Sequence, residues 1–146
     1  METIEKVKTM KTINATKGEF VNLINGLFQV QELKGKEFGL AVSKNITTLK
    51  EELQHLEDLG KPSEEFMKLA MKVNELNQND PENSKEEIDK LEKENEALVK
   101  ERREQMEKVT EIMKDEMTVK LVTVSEDLLP DEITAKQINN IEKIIK

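Results

Sequence analysis

TVKLVTVSEDLLPDEITAKQ, residues 118–137, interrupts a chain whose other regular stretches repeat at helical spacing. Val119, Leu121 and Thr123 alternate with Lys120, Val122 and Val124, the period of two that a β-strand requires. Three of these six residues are valine, a side chain that packs well on a pleated surface. A lone strand cannot satisfy its own backbone groups, so this one needs a partner. The one candidate is the N-terminal segment around Val7–Asn14, within IEKVKTMKTI (4–13), whose apolar spacing of three also permits a helix but whose Thr, Val and Ile favour a strand. The reading therefore joins the two ends of the chain in a two-stranded ribbon.

Between these segments the pattern is helical. Thr16 with Glu19 forms a capping-box pair, and Phe20, Leu23, Ile24, Leu27 and Phe28 then share one face of a helix running to about Leu33. Gly35 follows as a C′ residue. From Lys36, apolar residues at Val42, Ile46, Leu49, Leu53 and Leu56 are spaced as a coiled-coil heptad. Gly60-Lys61-Pro62-Ser63 ends one helix and caps the next, which carries Phe66, Leu69, Val73 and Leu76. NQNDPENS (77–84) is a polar breaker. Ser84 with Glu87 then opens a continuous helix to about Met117 through a second capping box. Beyond Pro130, Thr134 with Gln137 caps a last helix striped by Ile138, Ile141, Ile144 and Ile145.

Lengths suggest the topology. A helix over 85–117 is about 50 Å long at 1.5 Å per residue, and helices 37–59 and 63–77 together nearly match it. The expected fold is mainly α and a single domain over 1–146. A bent arm, 37–77, lies antiparallel to a continuous arm, 85–117, with the tip near 77–84. The base comprises 1–35 and 118–146: an N-terminal helix, the ribbon and a C-terminal helix.

Composition agrees. Of 146 residues, 37% are charged and 36% hydrophobic, with four Phe and no Trp or Tyr, which suits helices sharing a narrow seam better than a thick core. Net charge is −8, and the excess lies in 51–97, where 15 acidic face 6 basic side chains. That acidity disfavours direct nucleic-acid binding, which needs clustered Lys and Arg to displace counterions. The Lys100-Glu101-Arg102-Arg103 cluster is interrupted by glutamates and lacks aromatics for base stacking. No stretch has the roughly 18 apolar residues of a membrane span, and no signal-peptide pattern opens the chain. With no cysteine, disulfides and thiolate chemistry are excluded.

Chemistry-bearing motifs are missing. His55, the one histidine, has no HExxH-type partner and reads as a solvated helix residue. Glu92 and Glu96, and Glu104, Glu107 and Glu111, read as a solvated face rather than cation ligands. No phosphate-binding glycine pattern or nucleophile elbow occurs. We therefore expect no catalytic, cofactor-binding or metal residues and a non-enzymatic protein. Asn95, Arg102 and Gln105 occupy seam positions of the long arm, where polar residues usually set register. Arg102 is also a candidate partner contact, as are Phe20, Phe28, Ile138, Ile141 and Ile145 at the base and Glu86 and Glu87 on the arm.

Three segments, NATKGEFVNLINGLFQVQELKGKEFGLAVSKNITTLKEEL (14–53), ENEALVKERREQMEK (94–108) and VSEDLLPDEITAKQINNIEKII (124–145), together resemble a family of small uncharacterised proteins of tailed bacteriophages. The shared features are the N-terminal strand, the LFQVQELKGK helix end (27–36), a paired helical arm and the terminal helix after Leu129-Pro130. LGKPSEE (59–65) departs from the family pattern. The resemblance implies a viral origin, in a host cytoplasm or a virion, and carries no functional residue. Two functions are then in view. One is a virion or assembly component working through contacts with a partner protein or a second copy of itself. The other is an acidic inhibitor of a host nucleic-acid-handling protein, its −9 segment mimicking phosphate charge.

Overall fold

The computed structural model describes residues 9–146. Among them it is mainly helical, with seven α-helices, the last near the C-terminus, and one two-stranded antiparallel ribbon. The chain forms two compact units, one reaching to His55 and resuming over Ile112–Lys146, the other Leu56–Glu111.

The first unit is built on the ribbon. Strand β1 (Met10–Thr16) pairs antiparallel with β2 (Glu116–Val122), from Met10 opposite Val122 to Thr16 opposite Glu116. The expected pairing is therefore present. Both strands are offset from their predicted bounds, and residues 7 and 8 lie outside the described residues. Ladder bonds at both ends fix which peptide groups face inward: Thr123 N donates to Thr9 O (3.0 Å) and Lys17 N to Asp115 O (2.8 Å). In an antiparallel pair such residues alternate with ones whose N–H and C=O point away. Odd-numbered residues thus bond across the ribbon, and even-numbered ones turn their peptide groups to its outer edges.

Helix α1 (Lys17–Val30) follows β1 directly, its N-terminus capped by Thr16 Oγ1, which accepts from Glu19 N at 3.1 Å. Phe20, Leu23, Ile24, Leu27 and Val30 are buried, together with Ile13 and Ala15 of β1 and Val119 and Leu121 of β2. Helix α2 (Lys36–Glu52) packs on both α1 and β2, burying Phe38, Ala41, Val42, Ile46 and Leu49. The heptad correctly marks this apolar face. The helix, assigned by its spacing to the arm, belongs with the ribbon because its stripe also carries Asn45 to the edge of β2. Gly35 is the N-cap of α2 rather than the C′ residue of α1, and its φ of 134° is a conformation that L side chains rarely adopt.

Asn45 is 1% exposed. Its Nδ2 donates to Val122 O at 2.9 Å and its Oδ1 accepts from Val122 N at 2.8 Å. One side chain thereby satisfies both outward peptide groups of a buried edge residue. Two residues on, Val124 N donates to Ile144 O (2.8 Å) and Lys146 N to Val124 O (2.9 Å), so the C-terminal residues close the same edge.

That C-terminal segment begins at helix α7 (Ala135–Asn140), whose predicted capping box is complete: Gln137 N donates to Thr134 Oγ1 and Thr134 N to Gln137 Oε1. The helix is short, passing at Ile141 into a 3-10 turn over Glu142–Ile144. It lies so close to α1 that a Cβ on Gly26 would sit 2.9 Å from the Asn140 carbonyl oxygen. Lys143 Nζ reaches Glu19 Oε2 at 3.0 Å, and hydrogen bonding and charge attraction from this ammonium, aided by the Thr16 backbone, hold the Glu19 carboxyl below its ordinary pKa.

The second unit contains α3 (Gln54–Gly60, entering from the first), α4 (Glu64–Asn79), α5 (Lys85–Glu94) and most of α6 (Glu96–Met113). Ser63 caps α4 as predicted, accepting from Phe66 N at 3.1 Å. The Ser84–Glu87 box does not form. Asp80 takes the capping role instead: its Oδ1 accepts from Asn83 N and its carbonyl from Ser84 N. Ser84 is already helical in φ and ψ and its side chain is buried. The expected continuous helix is also interrupted, at Asn95, whose Nδ2 bonds back to Leu91 O at 2.9 Å and competes with the helical ladder.

Replacing Asn45 by Ala leaves a buried N–H and C=O without partners, and is expected to lower the unfolding free energy by about 2–4 kcal/mol, measured by denaturant titration. Gly26→Ala is expected to cost about 1–3 kcal/mol, because α7 must move off α1 to admit one methyl group.

Candidate functional site

The arm unit, Leu56–Glu111, has an incompletely covered apolar seam. Among its described hydrophobic residues only Leu56 and Leu69 are buried. Phe66, Val73, Leu76, Ile88, Leu91, Leu98 and Val109 stay half-exposed. Met67, Met71 and Met106 stand further out, Met71 at 65% exposure. The cause is geometric: a pair of amphipathic helices can cover only the strip where they touch, and a stripe about 100° wide overhangs it. Methionine suits such a position because its flexible thioether adapts to differently shaped partners.

Charge surrounds this surface. Leu56–Glu111 carries 17 acidic and 10 basic side chains, a net of −7 against −1 for the rest of the chain. Glu86 and Glu87 are exposed in the first turn of α5, where the helix dipole favours negative charge.

Arg102 and Gln105, the polar seam residues, converge on the turn between α3 and α4. Arg102 Nη1 donates to Gly60 O at 2.8 Å and to Gln105 Oε1 at 3.0 Å. Gln105 Nε2 donates to Leu59 O (2.6 Å) and Lys61 O (2.7 Å). The Arg102 guanidinium also lies over the Phe66 ring, 5.6 Å from its centroid. Helix α3 ends here with carbonyls that have no intrahelical donor, and these two side chains supply donors and a positive charge. The polar seam pair thus acts as a clamp on a helix end, with Nη1 of Arg102 engaged in it.

The base candidates divide by burial. Phe20, in α1, and Ile141, at the end of α7, are fully buried in the first unit, so their side chains face its core rather than a partner. Ile138 and Ile145 are half-buried, Ile145 bridging to Val124. Phe28 is half-buried beneath the Lys50 ammonium, which sits 5.5 Å from the ring centroid. Asn45 carries no catalytic signal and was not singled out from sequence. Its one trace there is a polar residue on the stripe of Val42, Ile46 and Leu49.

Among the described residues, no group of three or more His, Asp or Glu is placed to hold a metal ion, and no helix is long and apolar enough to cross a membrane. Comparison with models of protein families, with curated proteins and with solved structures finds no match.

Arg102→Ala should lower the arm's stability by about 1–2 kcal/mol in thermal melts, since it removes a charge-assisted bond to a helix end and a cation–π contact. Arg102→Lys should recover only part of this, because a compact ammonium lacks the planar guanidinium that lies over Phe66 while Nη1 reaches Gly60 and Gln105.

Proposed function

We propose that the chain is a non-enzymatic phage protein that acts through protein–protein contacts, as a virion or assembly component. The observation that carries this reading is the arm's half-covered seam with its projecting methionines. Helical faces of this kind gain most by burial against another helix or groove. The phage origin rests on the resemblance over 14–53, 94–108 and 124–145.

A second reading, an acidic inhibitor of a host nucleic-acid-handling protein, draws on the −7 charge of the arm unit and on exposed Glu86 and Glu87. The two differ in what dominates binding. Apolar seam contacts should survive added salt, whereas phosphate mimicry should weaken steeply as the Debye length shrinks.

The test is Met71→Glu, an exposed change expected to shift stability by about 0.5 kcal/mol or less. Under the assembly reading the wild-type chain is found in purified particles by mass spectrometry, and the variant is depleted from them at equal expression. Absence of the wild-type chain from particles and from assembly intermediates contradicts it. Salt-labile binding to a basic host protein would then favour the inhibitor.

A further inference from the structure

The ribbon's two outer edges are finished differently. On the β2 side, the outward groups of Val122 are held by Asn45 and those of Val124 by Ile144 and Lys146, while exposed Glu116 and Lys120 put charge on the stretch that stays open. On the β1 side, the parity of the ladder turns the N–H and C=O of Met10, Thr12 and Asn14 outward, and among the described residues no backbone partner meets them. All three residues are exposed, Met10 at 42%.

Proteins ordinarily blunt such an edge with proline, inward-pointing charge, a bulge or a covering element. MKTINAT (10–16) has no proline and one charge, Lys11. Lys11 lines a groove with Glu19, Asn22 and Glu142, on the face opposite Met10, Thr12 and Asn14.

We propose that this edge pairs with its own copy: β1 of one chain lies antiparallel to β1 of a second, about a twofold axis at Thr12, joining two ribbons into one four-stranded sheet. Antiparallel pairing about that axis sets Thr12 opposite Thr12, Met10 opposite Asn14 and Asn14 opposite Met10. Each is a pair whose outward groups face one another, with two hydrogen bonds per pair and about six in all. A one-residue slip destroys this parity, so the pairing is specific in register. The same register sets Lys11 opposite Ile13 of the other copy, so the strand's one charge does not meet itself. Net charge permits the approach as well: the ribbon's unit carries −1, whereas two arm units would meet with −7 each. A shared patch on both partners is the isologous contact of a closed C2 dimer. The proposal is independent of the arm's role, because it uses no arm residue.

The experiment measures the mass of the full chain by sedimentation velocity across a concentration series, for wild type and Thr12→Pro. Proline at 12 removes an outward donor and no ladder bond to β2, the one setting in which a strand tolerates it. The expected result is a concentration-dependent doubling of mass in the wild type. In Thr12→Pro the dimer should be at least about tenfold weaker, with the helical circular-dichroism signal retained. Should that variant unfold, Thr12→Cys decides. The chain contains no other cysteine, so mild oxidation should give a disulfide dimer at 12, while Lys120→Cys on the β2 side should stay monomeric. A wild type that remains monomeric at high concentration overturns the proposal. So does a dimer insensitive to Thr12→Pro, or one that Thr12→Cys cannot trap; the contact then lies elsewhere, for example along the arm.

Discussion

The pairing of β1 with β2 is the constraint on which the first unit depends. It joins segments about a hundred residues apart, and everything between them must return to the same place for the ladder to form. Such a closure is entropically costly, and a bare two-stranded ribbon is marginal in water. Two things make it hold here. The inner face, Ile13, Ala15, Val119 and Leu121, is buried in a core shared with α1 and α2. The β2 edge is finished by Asn45, which lets a peptide unit be buried without a third full strand. The core supplies most of the driving force, and Asn45 removes the penalty that would otherwise come with it.

The arm follows different physics. Its helices are charged and covered along only part of their apolar stripe, so much of their order rests on local devices: the Ser63 cap, the Asp80 turn and the Arg102–Gln105 clamp on the end of α3. Polar residues at seam positions are costly in a coiled coil when they lack partners. Here the helix end supplies acceptors for both. What remains uncovered, especially around Met67 and Met71, is the surface on which the proposed partner contacts depend.

Much of this was legible in the sequence because it is local or follows from strict bookkeeping. The alternation at 119–124 and the impossibility of a lone strand led to the ribbon, and Thr134 with Gln137 marked a cap that forms in full. Capping motifs compete with their neighbours, however. Asp80 starts the turn four residues before Ser84, so the second motif is overridden although its spacing is correct. Heptad spacing at Val42, Ile46, Leu49, Leu53 and Leu56 identifies an apolar face but not what lies against it, so spacing alone does not separate α2 from the arm. Asn45 escaped notice for a related reason: its role is defined by an edge 77 positions away, and no local pattern encodes that. Among the candidate contacts, Phe20 and Ile141 stand out in the sequence as large and apolar, and those same properties bury them.

The central claim is that a single side chain closes the outer edge of β2 at Val122, and amide hydrogen exchange reads this directly. Val122 and Lys120 both turn their N–H groups to that edge, but only Val122 is met by Asn45. Under native conditions the Val122 amide should exchange as slowly as the ladder amides of Leu121 and Thr123, while exposed Lys120 exchanges orders of magnitude faster. Equal, fast exchange at 120 and 122 would contradict the account, since it would mean that the edge is open and the ribbon is held by its inner face alone.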